Sequence, residues 1–145
     1  MKKVVMILVS CFGLALMIAT PAHAQMPGTP IRVTIPFDFN VKGKTLSAGK
    51  YEIRRISDSP EGLQISNLAN HEQSMFETES VEAKGTALKG ELVFHRYGDT
   101  YFLYEIFTPG MSTGRELPRS HAERRFEREA ANTKMKPEMV ALAID

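Results

Sequence analysis

A serine between two glycines is the part of this sequence closest to a catalytic motif. Residues 110–114, "GMSTG", follow the G-x-S-x-G pattern, which in serine hydrolases exposes a nucleophilic hydroxyl on a sharp turn from a strand into a helix. A nucleophilic Ser112 would also need a base, for which His95 and His121 are the candidates. Pro118 separates the motif from the next predicted helix. The context therefore favours a surface turn, and we assign no catalytic residue.

The residue types give little support for metal or nucleic-acid binding. The histidines beyond the first 24 residues are His71, His95 and His121, with no cysteine near them, and their spacing fits no structural zinc site. The whole chain has 18 Lys and Arg against 17 Asp and Glu, without the basic excess typical of nucleic-acid binding. We expect no metal, no cofactor and no nucleic-acid partner.

A second group of functional-looking side chains surrounds a predicted hairpin turn. The group could form a ligand-binding patch at one end of a sheet. Its members are Arg96, Tyr97, Asp99 and Tyr101. Loops and turns on rigid scaffolds often carry function. The structural alternative is a cross-strand cation–π pair between Arg96 and Tyr101, with Asp99 serving the turn. Both interpretations stay open at this point.

The first 24 residues have the three parts of a secretory signal peptide. Two lysines precede an apolar run over 4–18, and the small residues Ala22 and Ala24 form a cleavage site. We predict cleavage after Ala24, export to the periplasm or the extracellular space, and no transmembrane span in the mature chain. Cys11 in "LVSC" suggests a lipoprotein instead, but the apolar run before it is short and continues past it, which disfavours that alternative.

The mature chain is expected to be one domain. It runs from Gln25 to Asp145, 121 residues, and keeps 16 Lys and Arg against 17 Asp and Glu, a net charge of −1. Cys11 is the only cysteine and leaves with the leader, so packing without disulfides must hold the fold. We predict a flexible lead at 25–30 and a single β-rich domain over 31–145.

Hydrophobic alternation predicts strands through most of this domain. Apolar residues occupy every second position over 31–41, where Pro36 must lie at an edge or a bulge because it has no N–H. Further strands are predicted from Tyr51 onward, within 61–68, 72–83, 89–107 and 139–144.

The segment 89–107 is the strongest hairpin signal. Gly98-Asp99 forms a two-residue loop with glycine first, which is typical of a type II′ turn. The turn fixes a register, with the pairs Tyr97–Thr100, Arg96–Tyr101, His95–Phe102, Phe94–Leu103 and Val93–Tyr104. Continued alternation puts Phe107 on one face and Ile106 on the other. Both faces are largely apolar, so we expect a central hairpin covered on both sides.

One helix is predicted near 121–131. Ser120 and Glu123 form a capping box at its start, and a thin apolar stripe of Ala122, Phe126 and Ala130 would pack one edge of the helix onto the body. About seven short strands and this C-terminal helix indicate an all-β fold, a mainly antiparallel β-sandwich or a small open barrel.

Two stretches carry a resemblance to known sequences. "VTIPFDFNVKGKTLSAGKY" at 33–51 and "LVFHRYGDTYFL" at 92–103 resemble a family of small exported proteins, abundant in acidobacteria, that carry no assigned function. The match spans most of 31–123 and departs at Ser47, where the family usually has proline, and at Phe107, where tryptophan is common. The resemblance implies a bacterial source and an envelope location, but no substrate and no catalytic residue.

These observations favour a non-enzymatic exported domain that binds or scaffolds an envelope or extracellular partner. A small serine hydrolase using Ser112 is one alternative. The other is a carrier of a small apolar ligand, with a cavity lined by the hairpin aromatics.

Overall fold

The described part of the chain consists of eleven strands and one helix. The computed structural model describes residues 28–56, 59, 61–83 and 89–144. The predicted leader, its cleavage site at Ala22 and Ala24, Cys11 and the first part of the lead lie outside these ranges. The elements are β1 (Ile31–Ile35), β2 (Phe39–Val41), β3 (Lys44–Leu46), β4 (Gly49–Arg55), β5 (Gly62–Asn67), β6 (Gln73–Glu77), β7 (Glu79–Glu82), β8 (Glu91–Tyr97), β9 (Thr100–Phe107), β10 (Thr113–Glu116), α1 (His121–Asn132) and β11 (Glu138–Ala143).

The strands form two sheets that share one core, which confirms the predicted mainly antiparallel all-β fold. The smaller sheet has the order β1-β4-β5-β6, and the larger sheet has the order β11-β8-β9-β10-β7, with β2 and β3 attached beside β9. The described strands close no barrel, so the architecture is a sandwich. Large core side chains that are fully buried between the sheets include Phe39, Tyr51, Ile53, Ile65, Leu92, Phe94 and Ile106.

The strand count exceeds the predicted number partly because two long strands divide where the chain crosses between the sheets. The segment 31–41 is interrupted at Pro36, which cannot continue the backbone pairing, and Phe37 stacks on Tyr101 with ring centroids 3.8 Å apart. The second crossing is at Thr78, which is buried and donates from its N–H and its hydroxyl to one backbone carbonyl, at 3.0 and 2.8 Å. Each crossing therefore separates a strand of the smaller sheet from a strand of the larger sheet.

The central hairpin of β8 and β9 contains a β-bulge that was not part of the register predicted from the sequence. The four predicted pairs nearest the turn are confirmed, but Val93 lies opposite Glu105 instead of Tyr104. A shift by one residue moves every later side chain to the other face. Ile106 is therefore buried in the core, and Phe107 lies on the outer face of the larger sheet, the reverse of the prediction.

Helix α1 begins at the predicted cap, and its apolar stripe packs on the outer face of the larger sheet. Ser120 is the N-cap, and its hydroxyl accepts a hydrogen bond from the Glu123 N–H at 3.1 Å. Ala130 is buried, and the Phe126 ring lies 5.5 Å from that of Phe102. The helix thus covers the part of the sheet next to the hairpin turn.

Candidate functional site

The rest of the larger sheet's outer face is an open groove, which we call the outer groove. Its volume is about 790 Å³, and all five strands β7 to β11 of the larger sheet contribute to it. Its apolar and aromatic lining consists of Val81, Ala83, Val93, Tyr104, Phe107, Met139 and Ala141. Its polar lining consists of Glu82, Lys89, Glu91, His95, Glu105, Glu116 and Arg119. The groove therefore combines an apolar floor with a charged rim.

His95 lies where the outer groove meets α1, and a buried carboxylate holds its imidazole. The Nδ1 atom lies 2.7 Å from Oε1 of Glu123, and the two side chains are 6% and 5% exposed. Only the Ser120 half of the predicted capping box forms, because the Glu123 carboxylate bonds to His95. An Nδ1–H that donates to this carboxylate fixes the orientation of the imidazole at the edge of the groove.

Tyr104 forms the floor beside this histidine. Its ring stacks on the imidazole of His95, with centroids 3.9 Å apart. Burial raises the pKa of the Tyr104 phenol above its ordinary value, and the carboxylates of Glu116 and Glu105 raise it further. The phenol is therefore an uncharged hydrogen-bonding group at neutral pH.

Several residues of this groove were not predicted from the sequence to be part of a functional site. For Glu105 a signal existed, since unbroken alternation would place its carboxylate on the core face beside Leu103, where an unpaired charge is costly. A bulge in β9's pairing resolves that conflict and also brings Phe107 to the groove. For Glu116 there was no signal, because β10 falls in a stretch whose glycines and prolines indicated turns.

Ser112 lies outside the outer groove. It is exposed in the loop between β9 and β10, so a strand follows it where a nucleophile elbow would have a helix. Strand β10 lies between this loop and α1. Among the described residues no hydrogen bond joins the Ser112 hydroxyl to either candidate base: His95 bonds Glu123, and His121 begins α1 on the surface.

The two glycines of the motif have separate structural explanations. Gly110 has a φ of +76°, in the left-handed region that glycine adopts without steric cost. Gly114 has no such backbone requirement, but an added Cβ would overlap the ring of Phe107 and lie 3.0 Å from the carbonyl oxygen of Ile106. The spacing of the motif thus follows from a turn and from packing.

The predicted patch at the hairpin turn is divided by the sheet. The guanidinium carbon of Arg96 lies 5.5 Å from the ring centroid of Tyr101, which confirms the cation–π pair. Asp99 is fully exposed and 3.9 Å from Arg96. Tyr97 is buried on the opposite face, beneath α1. The four residues therefore do not converge on one ligand position.

Tyr97 also leads to a stability prediction. It is 7% exposed, and its hydroxyl is buried without a hydrogen-bond partner in the part of the chain that the structure describes. Because burying an unpaired hydroxyl is unfavourable, Tyr97→Phe should raise the free energy of unfolding by about 1 kcal/mol. Urea denaturation measures this, with Tyr101→Phe, at a half-buried ring, as the control. A destabilised Tyr97→Phe would mean that the hydroxyl has a partner.

The described residues contain no group of three or more His, Cys, Asp or Glu side chains in a metal-binding arrangement. Within 28–56, 61–83 and 89–144, no helix is long and apolar enough to cross a membrane.

Comparison of the chain with protein-family models, curated proteins and solved structures found no match to any of them.

Proposed function

We propose that this chain is an exported, non-enzymatic domain that binds or scaffolds a partner of the bacterial envelope or the extracellular space, and that the outer groove is its binding surface. The observation that carries the proposal is that α1 covers only part of an apolar sheet face. Val93, Tyr104 and Phe107 form the floor of a groove that no described helix or strand fills, and Tyr104 is the partly exposed side chain of the three. A concave, partly apolar surface with a few polar groups around it is the usual form of a binding site.

The residue types that line the groove are suited to binding a segment of a partner protein. Tyr, Phe, Met and Arg, which line it, are the residue types enriched in interface centres. Its rim has four carboxylates, Glu82, Glu91, Glu105 and Glu116, against two cations, Lys89 and Arg119. The excess of carboxylates favours a partner segment with apolar and basic side chains. None of the described lining residues is a serine, threonine or cysteine, so His95 has no hydroxyl or thiol of these types in the groove to activate as a nucleophile.

The export part of the proposal rests on the sequence. The lysines, the apolar run and the Ala22 and Ala24 site at the beginning of the chain are the features of a secretory signal. The resemblance to small exported acidobacterial proteins supports the same location. A domain without disulfides must then be stable in that compartment by packing alone.

The two alternatives have weaker support. A hydrolase centred on Ser112 would need a base that the described hydrogen bonds do not supply. A carrier would need an enclosed space beside the hairpin aromatics, but Phe94 packs edge-to-face on Phe37 and Phe39, with centroids 5.3 and 5.6 Å apart. These rings contact one another in the core.

Affinity capture with matched variants tests the binding surface. Val81→Arg changes one side of the outer groove and Tyr104→Ala changes its floor, both at positions that are partly exposed, so the fold should tolerate them. Met75→Arg, at a side chain 61% exposed on the smaller sheet, is the control. We expect partners captured from the native envelope by the wild-type chain to be lost with both groove variants and kept with Met75→Arg. Equal recovery by all four chains would contradict the proposal.

A further inference from the structure

Strand β11 forms an edge of the larger sheet and is unusually apolar for an edge. It pairs with β8 on one side, and the described strands leave its other side open. Residues 139–144, "MVALAI", carry no charge, and Met139 is 64% exposed. An exposed, uncharged edge strand is a template for pairing with another strand.

The direction of the backbone groups on β11 follows from its register. The Ile144 N–H donates to the Gly90 carbonyl at 3.0 Å, and the strand is antiparallel to β8. Because hydrogen-bonded positions alternate along an antiparallel strand, Val140 and Leu142 bond to β8. The N–H and C=O groups of Met139, Ala141 and Ala143 therefore point to the open edge.

The other sheet edges differ from β11 in charge. The far edge of the larger sheet, β7, begins and ends with glutamate, and β6 ends with Glu77. Strand β1 has Arg32 within its five residues, and β3, which among the described strands pairs only with β2, begins with Lys44. Charges on edge strands oppose unwanted pairing, and β11 has only Glu138 at its first position. Strand β11 is therefore the edge best suited to accept another strand.

We propose that β11 pairs with β11 of a second copy of this chain, antiparallel about a two-fold axis at Ala141. This register uses the full strand and places Met139 opposite Ala143 of the second copy, and Val140 opposite its Leu142. Every pair over 139–143 is apolar, and no like charges face each other, so the strand is complementary to itself. An unrelated partner would need its own matching strand, whereas a second copy supplies one by symmetry.

The pairing also changes the proposed binding surface. Met139 and Ala141 line one side of the outer groove, so the two-fold axis brings the grooves of the two copies side by side on one continuous sheet. The dimer itself does not depend on the proposed function. Val81→Arg lies on the opposite side of the groove, on β7, and should leave the dimer intact.

Single cysteines test this register. In a Cys11→Ser background the introduced thiol is the only one, whether or not the leader is removed. In the proposed pair the two Cα atoms of residue 141 are about 5.5 Å apart, within the range of about 4.4–6.8 Å that a disulfide spans. The two Cα atoms of residue 139 are about 14 Å apart, because four residues of strand separate them along the axis.

Mild oxidation of the exported, purified chain should therefore give a disulfide-linked dimer with Ala141→Cys and a monomer with Met139→Cys. Collisions between monomers would cross-link Met139→Cys at least as well, since that position is highly exposed. Equal cross-linking of the two variants, or none with Ala141→Cys, would overturn the proposal.

A proline variant gives an independent test by mass. Ala141→Pro removes an N–H that points to the open edge and leaves the hydrogen bonds to β8 in place, which edge strands tolerate. Light scattering should report twice the monomer mass for the wild type and for Ala141→Ser, and the monomer mass for Ala141→Pro, with unchanged circular dichroism. A wild-type chain that is monomeric at high micromolar concentration, or a folded Ala141→Pro dimer, would contradict the pairing.

Discussion

Replacing Glu123 with alanine is expected to lower the free energy of unfolding by about 3 kcal/mol. Glu123 and His95 are both buried, and the carboxylate is the only described partner of the imidazole Nδ1. Truncation leaves that ring nitrogen buried without an acceptor, and removing one member of a buried pair costs far more than the pair contributes. It also loosens α1 at its first turn, where the helix meets the sheet.

Two matched variants separate this effect from a general loss of helix stability. Glu123→Gln keeps an oxygen acceptor for Nδ1–H and should cost about 1 kcal/mol. Glu129→Ala removes an exposed carboxylate from the same helix and should change stability by less than about 0.5 kcal/mol. Urea denaturation of the three variants gives the comparison. If Glu123→Ala behaved like Glu129→Ala, the buried pair would not contribute to the fold as described.

Replacing Gly114 with valine is expected to destabilise the protein by about 3 kcal/mol, at the upper end of overpacking effects. The added side chain would collide with the ring of Phe107 and the backbone at Ile106. Phe107 is 8% exposed and forms part of the groove floor, so it cannot move without disturbing the packing. The urea concentration at the midpoint of unfolding should fall sharply. The far-ultraviolet circular dichroism spectrum of the folded variant, measured without urea, should match that of the wild type.

The neighbouring motif positions supply the controls. Ser112→Val introduces the same side chain at an exposed site and should stay within about 0.5 kcal/mol of the wild type. Gly110→Ala meets no atom within 4 Å but must adopt a φ of +76°, which costs about 1 kcal/mol. A Gly114→Val variant as stable as Ser112→Val would refute the packing role of this glycine.

Local signals in the sequence were enough to predict the elements that depend on neighbouring residues. The Ser120 cap, the stripe through Ala130 and the Gly98-Asp99 turn are each specified within a few positions, and the structure contains all three. The hairpin register near the turn was predictable for the same reason, since a two-residue loop fixes which residues face each other.

The rest depends on pairing between distant segments. Strand β9 pairs with β8, β10 and β2, so the bulge opposite Val93 and the short strand β10 lie among contacts that no local pattern specifies. The groove could not be predicted, because its lining comes from strands far apart in sequence and its open half depends on how far α1 reaches across the sheet. His95 was predicted in a strand and Glu123 at a helix cap, each from its neighbouring residues. Their contact was not predictable, because only the tertiary fold brings the strand and the helix together.

Binding of the partner in the outer groove can be measured by titrating the captured partner against purified wild type, Val81→Arg and Met75→Arg by calorimetry. We expect Val81→Arg to raise the Kd by about tenfold or more, equivalent to about 1.4 kcal/mol, and Met75→Arg to leave it unchanged. The same Kd for all three proteins would contradict binding in the outer groove.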